Sequence, residues 1–303
     1  MSSTVPPLKV STSLISRLLL AALCLVAASA YRASVSLAPP GIFEDAFLAG
    51  LAALLLVIAL LARRSQALRA YWDIPFAFFV FTVAGFVGDL SVSPLQRGFV
   101  QNVLHQTPSS TNPLASTVLG TVLVQLFSTL CMVTLIIVLT KASGASLRDI
   151  FIGRANNWIG PVIGVIGFLA FFVLAARGRT EAFFPTHSVV TFSRFLTLAP
   201  ALVILVLCNG LREELWFRGL FLKKYERSLG PLSSNLLAAT VFTSFHVQVQ
   251  YALHLLPFLG YTAILGLSMG YLMQRSGSIL ASVLFHAGSD IPIFLVYLSY
   301  VST

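Results

Sequence analysis

The chain has 303 residues, 57% of them hydrophobic and only 10% charged, with a mean hydropathy of +0.90. A soluble domain is nearer half apolar and a quarter charged, so this composition excludes a water-soluble globular protein and points to a membrane one. The net charge of +9 raises nucleic-acid binding as a reading, but the placement of the cations argues against it.

Runs of about 18 or more apolar residues read as spanning helices. Eight or nine are visible in chain order, approximately 14–30, 46–62, 74–87, 114–140, 158–176, 195–224, 234–250, 253–273 and 279–300. The first also has the features of a signal peptide: Lys9 and Arg17 open it, and Ala28-Ser29-Ala30 resembles a small-residue cleavage site. A multi-span chain ordinarily keeps its first helix, so retention is the expectation. The third run is short and aromatic, which suits a re-entrant or tilted partial span. The connections are all short, leaving no room for a soluble domain. The fold class expected is therefore all-α, a polytopic transmembrane bundle of eight or nine spans.

Of the 19 Lys and Arg, twelve fall in alternate connections, among them Arg63, Arg64, Lys141, Arg148, Lys223 and Lys224. Five fall in the other connections, including Arg32 and Arg177, and Arg212 and Arg218 lie within a span. That asymmetry is the positive-inside pattern, which puts the N-terminus in the cytoplasm and, with nine spans, the C-terminus outside. The basic surplus reads as topology, so the lipid bilayer and not nucleic acid is the expected partner. Cys24, Cys131 and Cys208 are scattered singly through apolar runs, with no disulfide framework and no CxxC signal.

Chemistry divides the chain near residue 190. Residues 1–190 read as accessory transmembrane helices whose interiors offer Gly, Ser, Thr and Gln125, the usual stock for helix packing in lipid. The stretch 146–158, SLRDIFIGRANNW, is weakly amphipathic and suits the cytoplasmic interface. Residues 191–303 read as the catalytic core, because they hold Glu213, Glu214, His246, His286 and Asp290 in or beside spans. Ser228-Leu229-Gly230-Pro231 should end the sixth span, and Ser276-Gly277-Ser278 should separate the last two. Asn209-Gly210 could kink the sixth span. Gly266 and Gly270 form a GxxxG that reads as a close helix contact.

The stretch REELWFRG, 212–219, concentrates Arg212, Glu213, Glu214 and Arg218 inside an apolar run. An ionised side chain near the bilayer centre costs several kcal/mol, so such residues are functional candidates by default. At about 1.5 Å per residue, Glu213 lies roughly 16 Å from Lys224, His246 roughly 20 Å from Ser233 and His286 roughly 16 Å from Arg275. Three helices thus bring ionisable groups to one level, near the middle of a core about 30 Å thick. Glu214 and Arg218 are four apart with the acid first, so they pair on one helix face. Glu213 is turned about 100° away from that face and is free of the pair. A carboxylate in such apolar surroundings suits a general base working near neutral pH. The competing structural reading is a buried salt-bridge knot of all four charges, a weak stabiliser in any medium.

His246 follows Phe242 by four residues, and Asp290 follows His286 by four, so each pair projects from one side of its helix. A single histidine in a span could simply hydrogen-bond a neighbouring helix; two at the depth of a free carboxylate favour function. His105, His187 and His254 fall in loops or at a span edge, where a surface role is the simpler reading.

Glu213-Glu214-Leu215-Trp216-Phe217-Arg218 fits EExxxR, Phe242-Thr243-Ser244-Phe245-His246 fits FxxxH, and His286-Ala287-Gly288-Ser289-Asp290 fits HxxxN/D. In this order on successive membrane helices, over about residues 190–300, they resemble the CPBP family. That family holds the type II CAAX prenyl endopeptidases and bacterial bacteriocin-processing or self-immunity proteins. The resemblance implies an intramembrane endopeptidase acting on a membrane-associated or prenylated CAAX-like protein or peptide. It also implies that Glu213 and His246 activate a water while His286 and Asp290 stabilise the oxyanion. Glu214, Arg218 and Phe242 would support them. No cofactor is favoured. Zn²⁺ is an open alternative, with Glu213, His246, His286 and Asp290 as candidate ligands, although the spacing lacks HExxH. Asp290 departs from the commoner Asn, since an ionised Asp would repel an oxyanion. It could be protonated, orient His286 or bind a metal, and orienting His286 is preferred. The expected location is a bacterial plasma membrane ahead of a eukaryotic endoplasmic reticulum. Two other readings remain: a proton- or cation-coupled transporter, and a non-catalytic immunity scaffold.

Overall fold

In lipid a backbone must satisfy its own hydrogen bonds, and the apolar runs do so as helices. The computed structural model describes residues 13–37, 42–102, 117–178, 190–247 and 254–299. Its regular elements are α1 (Leu14–Leu37), α2 (Ile42–Arg64), α3 (Asp73–Asn102), α4 (Val118–Ala142), a 3₁₀ turn (Leu147–Ile150), α5 (Ile159–Ala176) and α6 (Phe192–Glu213). A π-helical segment (Glu214–Gly219), α7 (Leu222–Leu229), α8 (Pro231–Ser244), α9 (Leu255–Ser276) and α10 (Ile279–Ser299) follow. Among the described residues, seven stretches are long and apolar enough to cross a membrane, with α6 through α7 counted as one, and Asp73–Gly88 is a shorter apolar helix. This is the all-helical polytopic bundle that composition and periodicity lead to.

Local chemistry sets the helix ends. Thr117 and Thr191 cap α4 and α6, their hydroxyls accepting from the N–H of Gly120 at 3.0 Å and of Arg194 at 3.2 Å. Glu44 and Asp45 open α2 and Arg63 and Arg64 close it, as the helix dipole favours. Gly230, at φ 80°, ends α7 and hands over to Pro231 at the start of α8; Gly277, at φ 66°, separates α9 from α10. Both breaks fall where the Gly and Pro signals put them.

Two expectations need correction. The expected span 234–250 is helical only to Ser244, and 14 residues make about 21 Å, short of a core about 30 Å thick. Residues 248–253 lie outside the described residues, as do His105 and His187. The expected span 195–224 is not one α-helix: it changes to π geometry after Glu213, turns at Leu220 and Phe221, and resumes as α7. The weakly amphipathic stretch 146–158 is a loop. One 3₁₀ turn leads to buried Ile150 and Phe151, the latter at φ 61°, and Asn156 N–H and Asn157 Nδ2 donate to the carbonyls of Ser276 and Arg275 at 2.7 and 2.9 Å. The amphipathic pattern there reflects a loop plugged under α9 and α10.

α10 is the central helix, with 72% of its apolar window buried, against 17% for α1 and α5. The outer helices leave large apolar side chains exposed, such as Leu18, Leu61 and Ile166, as lipid-facing surfaces do. On the inner side of α1, Cys24, Ala28 and Tyr31 are buried in the core, so the signal-like segment is a packed helix. Gly266 and Gly270 do face a close neighbour: a Cβ on Gly266 would lie 3.2 Å from Ala239 Cβ, and Asn235 of α8 donates to the Leu267 carbonyl at 2.8 Å. The three cysteines are unbridged.

Candidate active site

The Asn209-Gly210 pair lies inside α6, which continues as helix to Glu213. Its glycine serves a close crossing. A Cβ at Gly210 would lie 3.0 Å from the Val283 carbonyl oxygen and 3.2 Å from the Ala287 nitrogen, both backbone atoms of α10. The irregular geometry comes one turn later, in the π segment, where aromatic packing holds it. Trp216 stacks on Phe81 of α3 with centroids 4.3 Å apart and donates its indole N–H to the Phe81 carbonyl at 2.8 Å. Phe217 meets Phe242 and Phe245 edge-on at 5.4 and 5.0 Å. Single π turns inside α-helices are frequent at functional sites.

Glu214 and Arg218 form the expected pair, at 2.5 Å and fully buried. Glu214 does more than neutralise the arginine. It accepts from the Ser282 hydroxyl, and its Oε1 meets Nδ1 of His286 at 2.8 Å. The Arg218 guanidinium lies over the Phe242 ring, 4.3 Å from Cζ to centroid, a cation–π contact, and its Nε and Nη2 are buried without a partner among the described residues. Phe242 also touches both histidine rings, at 4.6 Å from His246 and 5.5 Å from His286. It is the plate against which the two imidazoles are set.

Glu213 remains partly accessible, with 18% of its side chain exposed, and its Oε2 stands 3.6 Å from Nε2 of His286. Asp290 Oδ2 stands 3.6 Å from the same Nε2. His246 lies just past α8, its Nδ1 2.9 Å from the Phe242 carbonyl, and Glu213, His286 and Arg218 act on its ring electrostatically. The expected face separation of the two glutamates therefore holds: Glu214 is consumed by fixed partners, and Glu213 is turned toward the accessible side. The four charges form two separate pairs instead of one buried knot: Glu214–Arg218 is fully buried, and Arg212–Glu213 is a looser contact at 3.9 Å with both side chains partly exposed.

One reading changes. The partner that orients His286 is Glu214, hydrogen-bonded to Nδ1 at 2.8 Å, whereas Asp290 is beyond hydrogen-bond distance of Nε2. Asp290 is instead held by Asn209, whose Nδ2 donates to Oδ2 at 2.9 Å. His286 is seven residues from the start of α10 at Ile279, about 10 Å along the helix. His254 is an exposed residue preceding α9.

Sequence reasoning missed an outer layer. Asn209 Oδ1 accepts from Arg212 Nη2 at 2.7 Å and from Gln125 Nε2 at 3.3 Å, and Arg212 Nη1 reaches Ser128 Oγ at 3.4 Å. Gln125 and Ser128 belong to α4, in the part of the chain read as accessory. Asn209 could have been found from its position four residues before Glu213, on the same helix face. As for Zn²⁺, no three His, Cys, Asp or Glu among the described residues are arranged to hold a metal ion. Glu214 is taken up by Arg218, Ser282 and the His286 ring, and Asp290 by Asn209, which leaves Glu213 as the one acid around His286 without a short hydrogen bond. This donor set does not fit a three-ligand zinc site. A cleft of about 980 Å³ lies elsewhere, between α1, α3 and α7, and none of the four expected catalytic residues lines it.

Residues 195–291 match the family model of the type II CAAX prenyl endopeptidase Rce1-like proteins. The match begins in α6, ends in α10 and contains all three motifs, in agreement with the CPBP resemblance. With the apolar helices, it supports an integral membrane protein and, at the level of the family, an intramembrane endopeptidase. No curated protein and no solved structure matches the chain.

Proposed function

We propose that this chain hydrolyses a peptide bond of a membrane-associated or prenylated CAAX-like substrate, with Glu213 as general base. The observation that carries the reading is the meeting of three motifs around His286: Glu213 and Asp290 are each 3.6 Å from its Nε2, Glu214 fixes its other nitrogen, and Phe242 of FxxxH lies edge-on to its ring at 5.5 Å. Glu213 is the one acid of the three that is partly accessible and not held by a short hydrogen bond, which suits proton abstraction from a water. The water oxygen forms its bond to the scissile carbonyl carbon, and its proton passes to Glu213, with His246 assisting the activation of that water. The carbonyl oxygen takes up the electron pair as an oxyanion, and Nε2–H of His286 is the donor aimed at it. Collapse of the tetrahedral intermediate breaks the C–N bond, and the proton held by Glu213 goes to the leaving amine. No step in this sequence is routed through a metal.

Position supports water entry. The site lies about 10 Å along α10 from its first residue, and the positive-inside distribution favours an opening toward the cytoplasm with the N-terminus on that side. The test compares membrane peptides from cells carrying the wild type with those carrying Glu213→Gln or His246→Ala, at matched membrane levels. A peptide cleaved only by the wild type is the expected result. Full processing by either variant ends the hydrolase reading. A Glu213-dependent ion flux in proteoliposomes without cleavage would establish a transporter in its place, and protection that survives loss of all four polar residues a scaffold.

A further inference from the structure

We infer that Asn209 is a positioning residue for Asp290, and that the pair acts as one amide–carboxyl unit holding the substrate-facing side of His286 open. This rests on the endopeptidase reading above and assigns part of its geometry to residues outside the three motifs.

The amide of Asn209 is buried, and its orientation is dictated by its neighbours. Arg212 Nη2 and Gln125 Nε2 are both donors, at 2.7 and 3.3 Å, and only an oxygen can accept from them. The nitrogen is thereby turned toward Asp290 Oδ2, which it meets at 2.9 Å. Flipping the amide would set its N–H groups against a guanidinium and another amide, and its oxygen against a carboxyl. Arg212 is held in turn by Ser128 of α4 at 3.4 Å. A continuous set of hydrogen bonds therefore links Gln125 and Ser128 of α4, through Arg212 and Asn209, to one oxygen of Asp290.

That same oxygen faces Nε2 of His286 from 3.6 Å. Released from Asn209, a carboxyl four residues along the same helix can swing onto Nε2 and form a direct hydrogen bond, closing the nitrogen that the oxyanion requires. Asn209 prevents this by occupying Oδ2. The pair also accounts for the acid at position 290. Where the motif carries Asn, one side chain supplies both an N–H and a carbonyl oxygen; here the carboxyl sits on α10 and the amide N–H reaches it from α6. The Gly210 crossing is what makes that reach possible, because it brings α6 against the α10 backbone directly beside Asn209.

The experiment uses the full-length protein in proteoliposomes and the peptide whose cleavage Glu213→Gln abolishes, compared at equal protein. Asn209→Ala is expected to lower kcat about 10- to 100-fold, as displacement of a reacting group by about 1 Å does, with KM changed by less than about threefold. Asn209→Asp places two carboxyls in contact and should be at least as damaging. Adding Asp290→Asn to Asn209→Asp restores one amide and one carboxyl with their positions exchanged, and is expected to recover at least tenfold over Asn209→Asp alone. A merely structural role predicts no such recovery. Wild-type kcat in Asn209→Ala, or a reciprocal exchange no faster than Asn209→Asp, overturns the inference while Glu213→Gln stays inactive. If no membrane peptide is found whose cleavage Glu213→Gln abolishes, the endopeptidase reading fails instead.

Discussion

Glu214 and Arg218 are fully buried and 2.5 Å apart, yet their surroundings are unequal. Glu214 keeps the Ser282 hydroxyl and His286 as further partners. Arg218 has only Glu214 and the face of Phe242, with Nε and Nη2 unmatched among the described residues. Removing one member of a buried pair costs about 3–5 kcal/mol, because the survivor is an uncompensated charge. Glu214→Leu strands the guanidinium and belongs at the upper end of that range. Arg218→Met leaves a carboxylate that still has a histidine and a hydroxyl, and belongs at the lower end. At about 2–4 °C per kcal/mol, the midpoint of thermal unfolding should fall by about 10–20 °C for Glu214→Leu and about 6–12 °C for Arg218→Met. Replacing both together with apolar side chains is close to neutral in such pairs, so the double variant should regain most of the loss. It should nevertheless be inactive, since Nδ1 of His286 loses its partner. Far-UV circular dichroism of the three variants in one detergent, beside peptide cleavage, provides the measurement. An Arg218→Met loss as large as that of Glu214→Leu, or a double variant less stable than both singles, would refute the asymmetry.

Gly210→Val should reduce cleavage at least about tenfold, because its Cβ meets backbone atoms of Val283 and Ala287 at 3.0 and 3.2 Å, and overpacking of this kind costs about 1–3 kcal/mol; activity at matched membrane level is the readout. Gly277→Ala places a Cβ at φ 66° and should cost about 1–2 kcal/mol, visible as a lower unfolding midpoint with the rate per folded molecule retained. Trp216→Phe keeps the stacking on Phe81 but loses the indole hydrogen bond, for about 0.5–1.5 kcal/mol, read in the same thermal assay.

The helix breaks at Gly230-Pro231 and Gly277 were legible because they depend on backbone rules that act within a few residues. The Glu214–Arg218 pair and the freedom of Glu213 were legible for the same reason, since helix geometry alone separates adjacent side chains. Motif order then brought Glu213, His246, His286 and Asp290 into consideration, and the family match over 195–291 covers all four. The partners of those residues were not legible. Gln125 and Ser128 are single polar groups in an apolar helix, and such groups read as packing until the helix they face is known. The loop 146–158 was not legible for a related reason: Ile150 and Phe151 bury in the core, Ile150 beside the π segment, while Asn156 and Asn157 bind carbonyls at the end of α9, which no local pattern reveals. The switch from α to π geometry after Glu213 likewise depends on Phe81, contributed by α3 from far away in the chain.

The π turn has one more consequence, and it concerns insertions and deletions. A π segment is an α-helix that has accepted an extra residue, so its length carries information as its side chains do. Removing any one residue between Glu214 and Gly219 would let ordinary α-helical bonding close again, at little cost to the backbone itself. A π turn takes one residue more per revolution than an α turn, so α7 would keep nearly its present facing while the side chains left in the turn shift by one place. Loss of any one of residues 215–217 would set Arg218 three residues from Glu214 instead of four and upset the packing of the turn on Phe81. A one-residue gap in this stretch is therefore more damaging than most substitutions within it, and homologous sequences that keep this site should keep its spacing to the residue.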